Sequence, residues 1–390
     1  MINYIIFLIS FYFLLLSVIG YGIIFQNLCF EKIKNFNHEN SIFIGFNGLL
    51  LITLISLITS LFVPHNFLHN LILHIIGVII FIIYRAENKV DYLKYIILIS
   101  ILVFSAVLIS KTNDDFSYYH LPFTKYLTEQ KIIFGMGHLS HGYNLLSSLF
   151  FLNSTFYLPF INYFSFHFSL IFFLIFFNFF VIREIILIKN DDIIRFLYLF
   201  AFVFFNLSFN RIAEYGTDKA GQLLIVILII KAFHYLNLNK KKLNSNILFL
   251  IPLFAYCVSL KTYFLSYLVL GLIIFFVNSK LIENIRTVIF SKSFLFFLAI
   301  IIFYFAHHFI STGCYISPIP STCVGESLIW GREKKDIVSL SIWLEQWAKA
   351  GAGPNFRVEK VNEYIQNFNW IQNWIDRYFI GKFLDQLGIL

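Results

Sequence analysis

"INYIIFLISFYFLLLSVIGYGIIF" (residues 2–25) contains no charged side chain. A bilayer's hydrocarbon core is about 30 Å thick and takes roughly 20 apolar helical residues to cross, so this run is long enough to span it. No basic segment precedes it, and it exceeds the roughly 7–15 residues of a signal-peptide core, so it reads as a first span and not as a cleavable leader. The same character continues outward from it: 59% of the 390 residues are hydrophobic and 13% charged, against about 25% charged in soluble domains. Only helices and closed barrels satisfy every backbone polar group inside lipid. The apolar segments here are long and continuous, unlike the roughly ten-residue alternations of a barrel strand. The expected fold class is therefore all-α, a polytopic membrane helix bundle.

Hydropathy places about ten spans, near residues 2–26, 41–63, 67–84, 91–110, 157–182, 193–210, 220–237, 246–260, 263–277 and 292–311. The eighth and ninth are short and separated only by Lys261 and Thr262. Keeping them separate puts the basic run at residues 240–242 and the Lys280, Arg286, Lys292 loop on one face. Lys32, Lys34, Arg85, Lys89, Lys94, Arg183, Lys189 and Arg195 then fall on that face too, and positive charge marks it as cytoplasmic. The net charge of +8 is thereby absorbed by orientation, which removes nucleic acid as a partner. The abundance of Ile, Phe, Asn and Lys matches the codon bias of an AT-rich genome, so the Phe content marks no aromatic binding surface.

The opposite, extracytoplasmic face receives the short "PHN" turn, a loop at 111–156, a loop at 210–222 and the tail from 312. Two domains follow: the bundle over 1–311 and a small extracytoplasmic, interfacial helical tail over 312–390, whose helices are expected to rest on the membrane surface or on the loops. Within the first large loop, "DDFSYYHLPFTKYLTEQ" (residues 114–130) spaces Phe116, Tyr119, Phe123 and Leu127 as an amphipathic helix lying in the interface. "YNLLSSLFFL" (residues 143–152) is too short to span and reads as a second interfacial helix or a re-entrant segment. In the tail, residues 336–350 place Val338, Ile342, Trp343 and Trp347 on one helical stripe, and residues 359–380 repeat the pattern. Cys314 and Cys323 enclose a Pro-stiffened loop outside the membrane and are expected to form a disulfide. Cys29 and Cys257 read as small apolar side chains.

Chemistry concentrates in "KTNDDFSYYHLP" (residues 111–122). Two ionised carboxylates at a membrane edge, Asp114 and Asp115, repel each other and lose hydration unless something cationic or proton-bearing pairs with them. Lys111 is at hand, and the second external loop supplies Arg211 and Lys219 beside its own acids Glu214 and Asp218. Such a mixture suits a substrate with hydroxyls on one part and phosphate on another. A carboxylate takes the hydroxyl proton, and Lys or Arg neutralises a leaving phosphate. The acid pair equally fits the N-cap of the following helix, and the residues alone leave both roles open. His138 and His141, three apart and flanked by Gly137 and Gly142, fit metal ligation, contact with polar substrate groups, or plain loop structure. His307 and His308 read as interfacial. Inside the spans, Lys231 and His167 are the principal ionisable residues.

An acid pair opening the first large external loop, followed by "YYHLP", resembles the GT-C superfamily of lipid-linked-sugar glycosyltransferases. More narrowly, residues 113–152, with "GCYISPIPSTC" and "SLSIWLEQWAKA", resemble a group of bacterial membrane proteins related to that superfamily. The resemblance implies a polyprenyl-phosphate-linked sugar donor, a glycan or lipid acceptor, transfer with inversion, and location in the bacterial inner membrane with the active face extracytoplasmic. It makes Asp114 or Asp115 the base or a ligand of a divalent metal ion. Lys111, Tyr118, Tyr119, His120, His138, His141, Arg211, Glu214, Asp218 and Lys219 are then substrate-binding candidates. Two departures stand out. Three spans precede the span leading into the acid loop, where typical members have one, and the chain ends after "FLDQLGIL" where the narrower group continues with further spans. A transporter or flippase for lipid-linked glycans, and a polymerase or ligase of them, are the competing readings. Transport calls for ionisable residues at mid-membrane in matching halves, and the sequence has no internal symmetry. A polymerase calls for external arginines, which are few.

Overall fold

The computed structural model describes residues 2–29, 41–87, 92–108, 115–188, 191–207, 216–238, 248–269, 281–324, 327–353 and 356–387. The described chain is overwhelmingly helical. Four of its helices are long and apolar enough to cross a membrane: Tyr4–Cys29, Phe67–Ala86, Tyr163–Leu187 and Lys292–Thr312. The expected ninth span falls largely on residues outside the described ones. The chain divides into two compact units, one of residues 1–132 and 146–307, the other of 133–145 and 308–390.

The first unit is organised around α1 (Ile2–Cys29), α2 (Ile44–Thr59) and α3 (Phe67–Glu87), with α1 packed on both others. Lipid-soluble helices gain little by hiding apolar surface from one another, so close backbone approach through small residues holds them together. A Cβ on Gly48 of α2 would lie 1.9 Å from the Val18 carbonyl oxygen of α1, and one on Gly20 would lie 1.9 Å from that of Gly77 in α3. Next come α4 (Leu93–Val107) and α7 (Phe168–Leu187). Helix α7 is buried on every side from Phe168 to Val181, which makes it the centre of the unit. By contrast α3 leaves Leu68, Ile72, Ile76, Ile79 and Ile83 exposed along one stripe. An apolar face of that extent calls for a neighbour other than water.

Two short helices complete the site's scaffold. In α5 (Leu121–Glu129) and the turn before it, the expected stripe of Phe116, Tyr119, Phe123 and Leu127 is buried. It packs on protein: Phe123 meets Phe150 and Phe151 of α6 (Ser148–Thr155) with ring centroids 5.5 and 5.7 Å apart. Helix α6, in the short segment expected to be interfacial or re-entrant, is buried along nearly all its length against α2, α5 and α7, with Asn153 half-buried. A buried helix must satisfy its polar ends internally. Here the Ser147 hydroxyl caps Leu149 N–H and donates to the Leu260 carbonyl at 2.6 Å, Ser148 bonds Ser259 at 2.9 Å, and Tyr304 donates to the Leu146 carbonyl at 3.0 Å. Its other end is held from the "PHN" turn. His65 Nδ1 bonds the Ser154 hydroxyl at 2.6 Å, and Asn70 Nδ2 donates to the carbonyls of Ser154 and Tyr157. His307 is fully buried and bonded to the Ser60 hydroxyl at 3.0 Å; His308 is fully buried as well.

The remaining helices of this unit are α8 (Asp192–Leu207), α9 (Asp218–Leu238), α10 (Leu250–Leu260), α11 (Leu281–Ile289) and most of α12 (Lys292–Thr312). In the second unit Cys314 and Cys323 form a disulfide. Helix α13 (Lys334–Ala348) follows, but the buried face is Ile337 and Leu340, while the expected stripe residues Val338, Trp343 and Trp347 are exposed. A two-stranded antiparallel pair, β1 (Ala352–Gly353) with β2 (Phe356–Arg357), then turns the chain. The single helix expected over 359–380 is broken into α14 (Val361–Ile365) and α15 (Ile371–Trp374), with α16 (Ile380–Leu387) beyond. The break sits where Asn367 and Phe368 adopt positive φ, a conformation no helix continues through.

Candidate functional site

Asp115 opens the site. It precedes a widened turn, Phe116–His120, closed by a bond from the Leu121 N–H back to the Phe116 carbonyl. Pro122 enters the first turn of α5 with no N–H to give, so the turn cannot tighten into regular α geometry at this point. The Asp115 side chain makes no capping bond. It hydrogen-bonds instead with Tyr119, one turn on. Tyr119 is buried beneath it, and burial pushes its phenol well above the ordinary value. The charges of Asp115 and Asp218 and the bond to Asp115 push in the same direction. Tyr119 therefore stays protonated and donates to Asp115.

Asp218, in the segment expected to form the second external loop, is the first residue of α9. Its carboxylate meets Lys261 Nζ at 2.7 Å, and the same ammonium donates to the Thr217 hydroxyl at 3.2 Å. Lys261 reaches there because α10 stops at Leu260, whose carbonyl is held by Ser147, and Lys261 itself is extended. Its ammonium is only about a third exposed (34%), while Asp218 is half-exposed. Tyr263, bonded with Gln222, lies within electrostatic reach of Asp218. The Tyr119 phenol thus bonds one carboxylate and lies within electrostatic reach of a second from a distant part of the chain, which carries a lysine.

Beside this cluster runs a crevice of about 310 Å³ with room inside for about one water molecule. One wall is the turn and α5, through Phe116, His120 and Thr124; the other is Asn153 of α6 with His167 and Ser169 at the start of α7. Gly216, two residues before Asp218, completes the lining. The Ser169 hydroxyl bonds the Asn153 amide, and His120 packs on Phe150 at 5.1 Å. Leu121, Leu149, Phe166 and Leu170 share the lining, so the crevice is mainly apolar with a few polar groups set into it.

The other expected site residues are placed as follows. Tyr118 is exposed beside Tyr119. Lys219 lies over the Phe205 ring at 5.9 Å. His138 and His141 belong to the second unit, in separate 3-10 turns. His138 Nε2 bonds the Trp330 carbonyl at 3.0 Å, and His141 packs edge-on to Trp343 at 5.0 Å. Burial first, then Arg332, lowers the pKa of His141. Asp114, Lys111, Arg211 and Glu214 lie outside the described residues. Among the described residues no three His, Cys, Asp or Glu side chains gather as a metal-ligand set. Lys261, Asn153 and Ser169 were not anticipated as site residues. Lys261 did carry a signal, as a lone cation between two apolar segments, but it was used only to separate them.

Deeper in the first unit lies a second polar cluster. Lys231 Nζ of α9 meets Glu184 Oε2 of α7 at 2.6 Å, with side chains 3% and 2% exposed. His234 Nδ1 stands 4.0 Å from the same carboxylate oxygen, and Tyr198 of α8 is within its electrostatic reach. Lys231 was expected to be intramembrane, while Glu184 escaped notice because it stands at the end of an apolar run next to Arg183.

A family profile described as a domain of unknown function (DUF8201) matches residues 4–390. No curated protein and no solved structure matches the chain.

Proposed function

We propose that this chain, which belongs to the family described as a domain of unknown function (DUF8201), is an inverting membrane glycosyltransferase. It would move a sugar from a polyprenyl-phosphate donor to a glycan or lipid acceptor at the extracytoplasmic face of the bacterial inner membrane. About ten spans, oriented by the basic loops, carry the site. One observation carries the reading: Tyr119 bonds Asp115 and lies within electrostatic reach of Asp218 from a separate segment, beside a small crevice, with Lys261 bound to the second acid.

In this proposal the acceptor hydroxyl attacks the anomeric carbon from the face opposite the phosphate. Asp115 takes the hydroxyl proton as the new C–O bond forms. The bond from the anomeric carbon to the phosphate oxygen breaks, and its electron pair leaves with polyprenyl phosphate. The Lys261 ammonium, oriented by Asp218 and Thr217, neutralises that developing charge. Tyr119, held protonated, fixes the Asp115 carboxylate by donating to it. His120, His167, Asn153 and Ser169 line the adjoining crevice, which has room for about one water molecule and must widen before a sugar ring can enter and bond to them.

The test is transfer of labelled sugar from a polyprenyl-phosphate donor in membranes containing the full chain. Asp115→Asn should lower the rate by about 10²- to 10⁴-fold, as loss of a general base does, and Lys261→Ala should lower it by roughly 10²-fold. Undiminished transfer by both Asp115→Asn and Asp114→Asn would discard the catalytic assignment. Cysteine labelling at Asn210 and Lys241 checks the topology, since the two positions must react from opposite faces.

One observation favours a second reading, a transporter or flippase of lipid-linked glycans. The buried Glu184 and Lys231 pair is the kind of intramembrane charge that pumps and carriers use. Movement of a fluorescent lipid-linked glycan across vesicles, with no sugar transferred, would select it.

A further inference from the structure

The last described helix, α16, has a face that the second unit does not cover. Phe379, Ile380, Phe383 and Leu384 are 50%, 44%, 52% and 58% exposed, at the one-and-four spacing that sets them on one stripe. Phe379 and Phe383 stack on each other with centroids 5.9 Å apart, and the space around Gly381 is open to at least 4 Å. The stripe continues toward α15 through Trp374, whose ring lies 6.0 Å from that of Phe379.

Two facts identify the occupant. First, all five tryptophans of the chain, Trp330, Trp343, Trp347, Trp370 and Trp374, lie in this unit, and none lies in the larger apolar one. Indole is the side chain that concentrates at the boundary between lipid and water, where an apolar ring and a polar N–H are both accommodated. Second, the unit begins with the last turn of α12, a helix long and apolar enough to cross a membrane. It is therefore tethered within a few residues of a bilayer surface. We propose that the α15–α16 segment seats its Phe379, Ile380, Phe383 and Leu384 stripe in the interfacial layer of that phospholipid bilayer. The segment over 371–387 carries Asp376, Arg377, Lys382 and Asp385 and is formally neutral. Apolar area, and not attraction to anionic lipid, drives the insertion.

Tryptophan fluorescence of the full chain reads this directly, because every tryptophan belongs to the unit in question. The protein is reconstituted into phosphatidylcholine vesicles carrying bromine either high on the acyl chain, near the headgroup, or near its end. Insertion to roughly 5–10 Å should make the shallow label quench about twofold more than the deep one. Trp374→Phe should remove much of that difference, and high salt should leave it unchanged. Phe383→Ser with Leu384→Ser should abolish it, and iodide should then quench the emission more strongly. If that variant does not fold, iodide quenching of the wild type decides the matter alone, since an inserted stripe shields Trp374 from it. Equal quenching by the two labels, loss of quenching in high salt, or cross-linking of a cysteine at position 383 to a second copy of the chain would overturn the proposal.

Discussion

At the scale of single residues, burial decides which titratable groups are set for chemistry and which for structure. Tyr119 and His65 are both buried and both hydrogen-bonded, yet Tyr119 bonds one carboxylate with a second in electrostatic reach, while His65 bonds the Thr59 and Ser154 hydroxyls and stacks on His69. Burial, followed by the neighbouring His69 and His307, depresses His65 from 6.5 to about 3. The folded chain therefore keeps it neutral where the unfolded chain binds a proton. Stability should be at its plateau above pH 6.5 and should fall as the pH drops from 6.5 toward 3, by about 1.4 kcal/mol per pH unit for this one group. Thermal midpoints in detergent across that window, compared with those of His65→Asn, measure it. A slope unchanged by the substitution would remove His65 as the cause. The role of Asp115 was open at this scale, because a carboxylate before a helix serves as a cap or as a base with the same residue types. The absence of a capping bond and the presence of Tyr119 depend on the widened turn, which no local pattern announces.

Among elements, α9 stands out because it carries two polar clusters along one rod: Asp218 at its first residue and Lys231 more than three turns on. The Glu184 and Lys231 pair is buried on both sides, so removing one partner strands a charge where water cannot reach it. Lys231→Met or Glu184→Gln alone should cost about 3–5 kcal/mol, whereas Glu184→Met with Lys231→Met should be near neutral. Melting of the detergent-solubilised variants checks this. If the double variant is as unstable as either single one, the cost does not come from the unpaired charge. Helix α6 makes a related point about legibility. Its ten-residue neighbourhood at 143–152 was plainly apolar and plainly too short to span, yet sequence could not say whether lipid or protein would surround it. Ser147, Ser148, Ser154 and Thr155 all found internal partners, so protein does.

For the whole molecule, the two units separate a part held by helix packing from a part held by a disulfide and short turns. The bond between Cys314 and Cys323 closes a loop with a sequence separation of 9. Cys314→Ser with Cys323→Ser should therefore cost the second unit about 2–3 kcal/mol, seen as a lower melting midpoint in tryptophan emission, which reports on that unit alone. An unchanged midpoint would show that the turns suffice without it. The helical class, the long apolar helices and the stripe of Phe116, Tyr119, Phe123 and Leu127 were legible in the sequence, because periodicity and length are properties of a single segment. The faces chosen by α13, the break at Asn367 and Phe368, and the meeting of Lys261 with Asp218 were not, because each depends on a neighbour distant in the chain. Hydropathy, with the length and continuity of its apolar runs, settled that these residues are helical and avoid water, since a bare peptide group in lipid is costly and a barrel would need short alternating segments. Only tertiary structure decided which polar side chains meet, since that is fixed by how α5, α6, α9 and α10 pack against one another and not by anything within each helix.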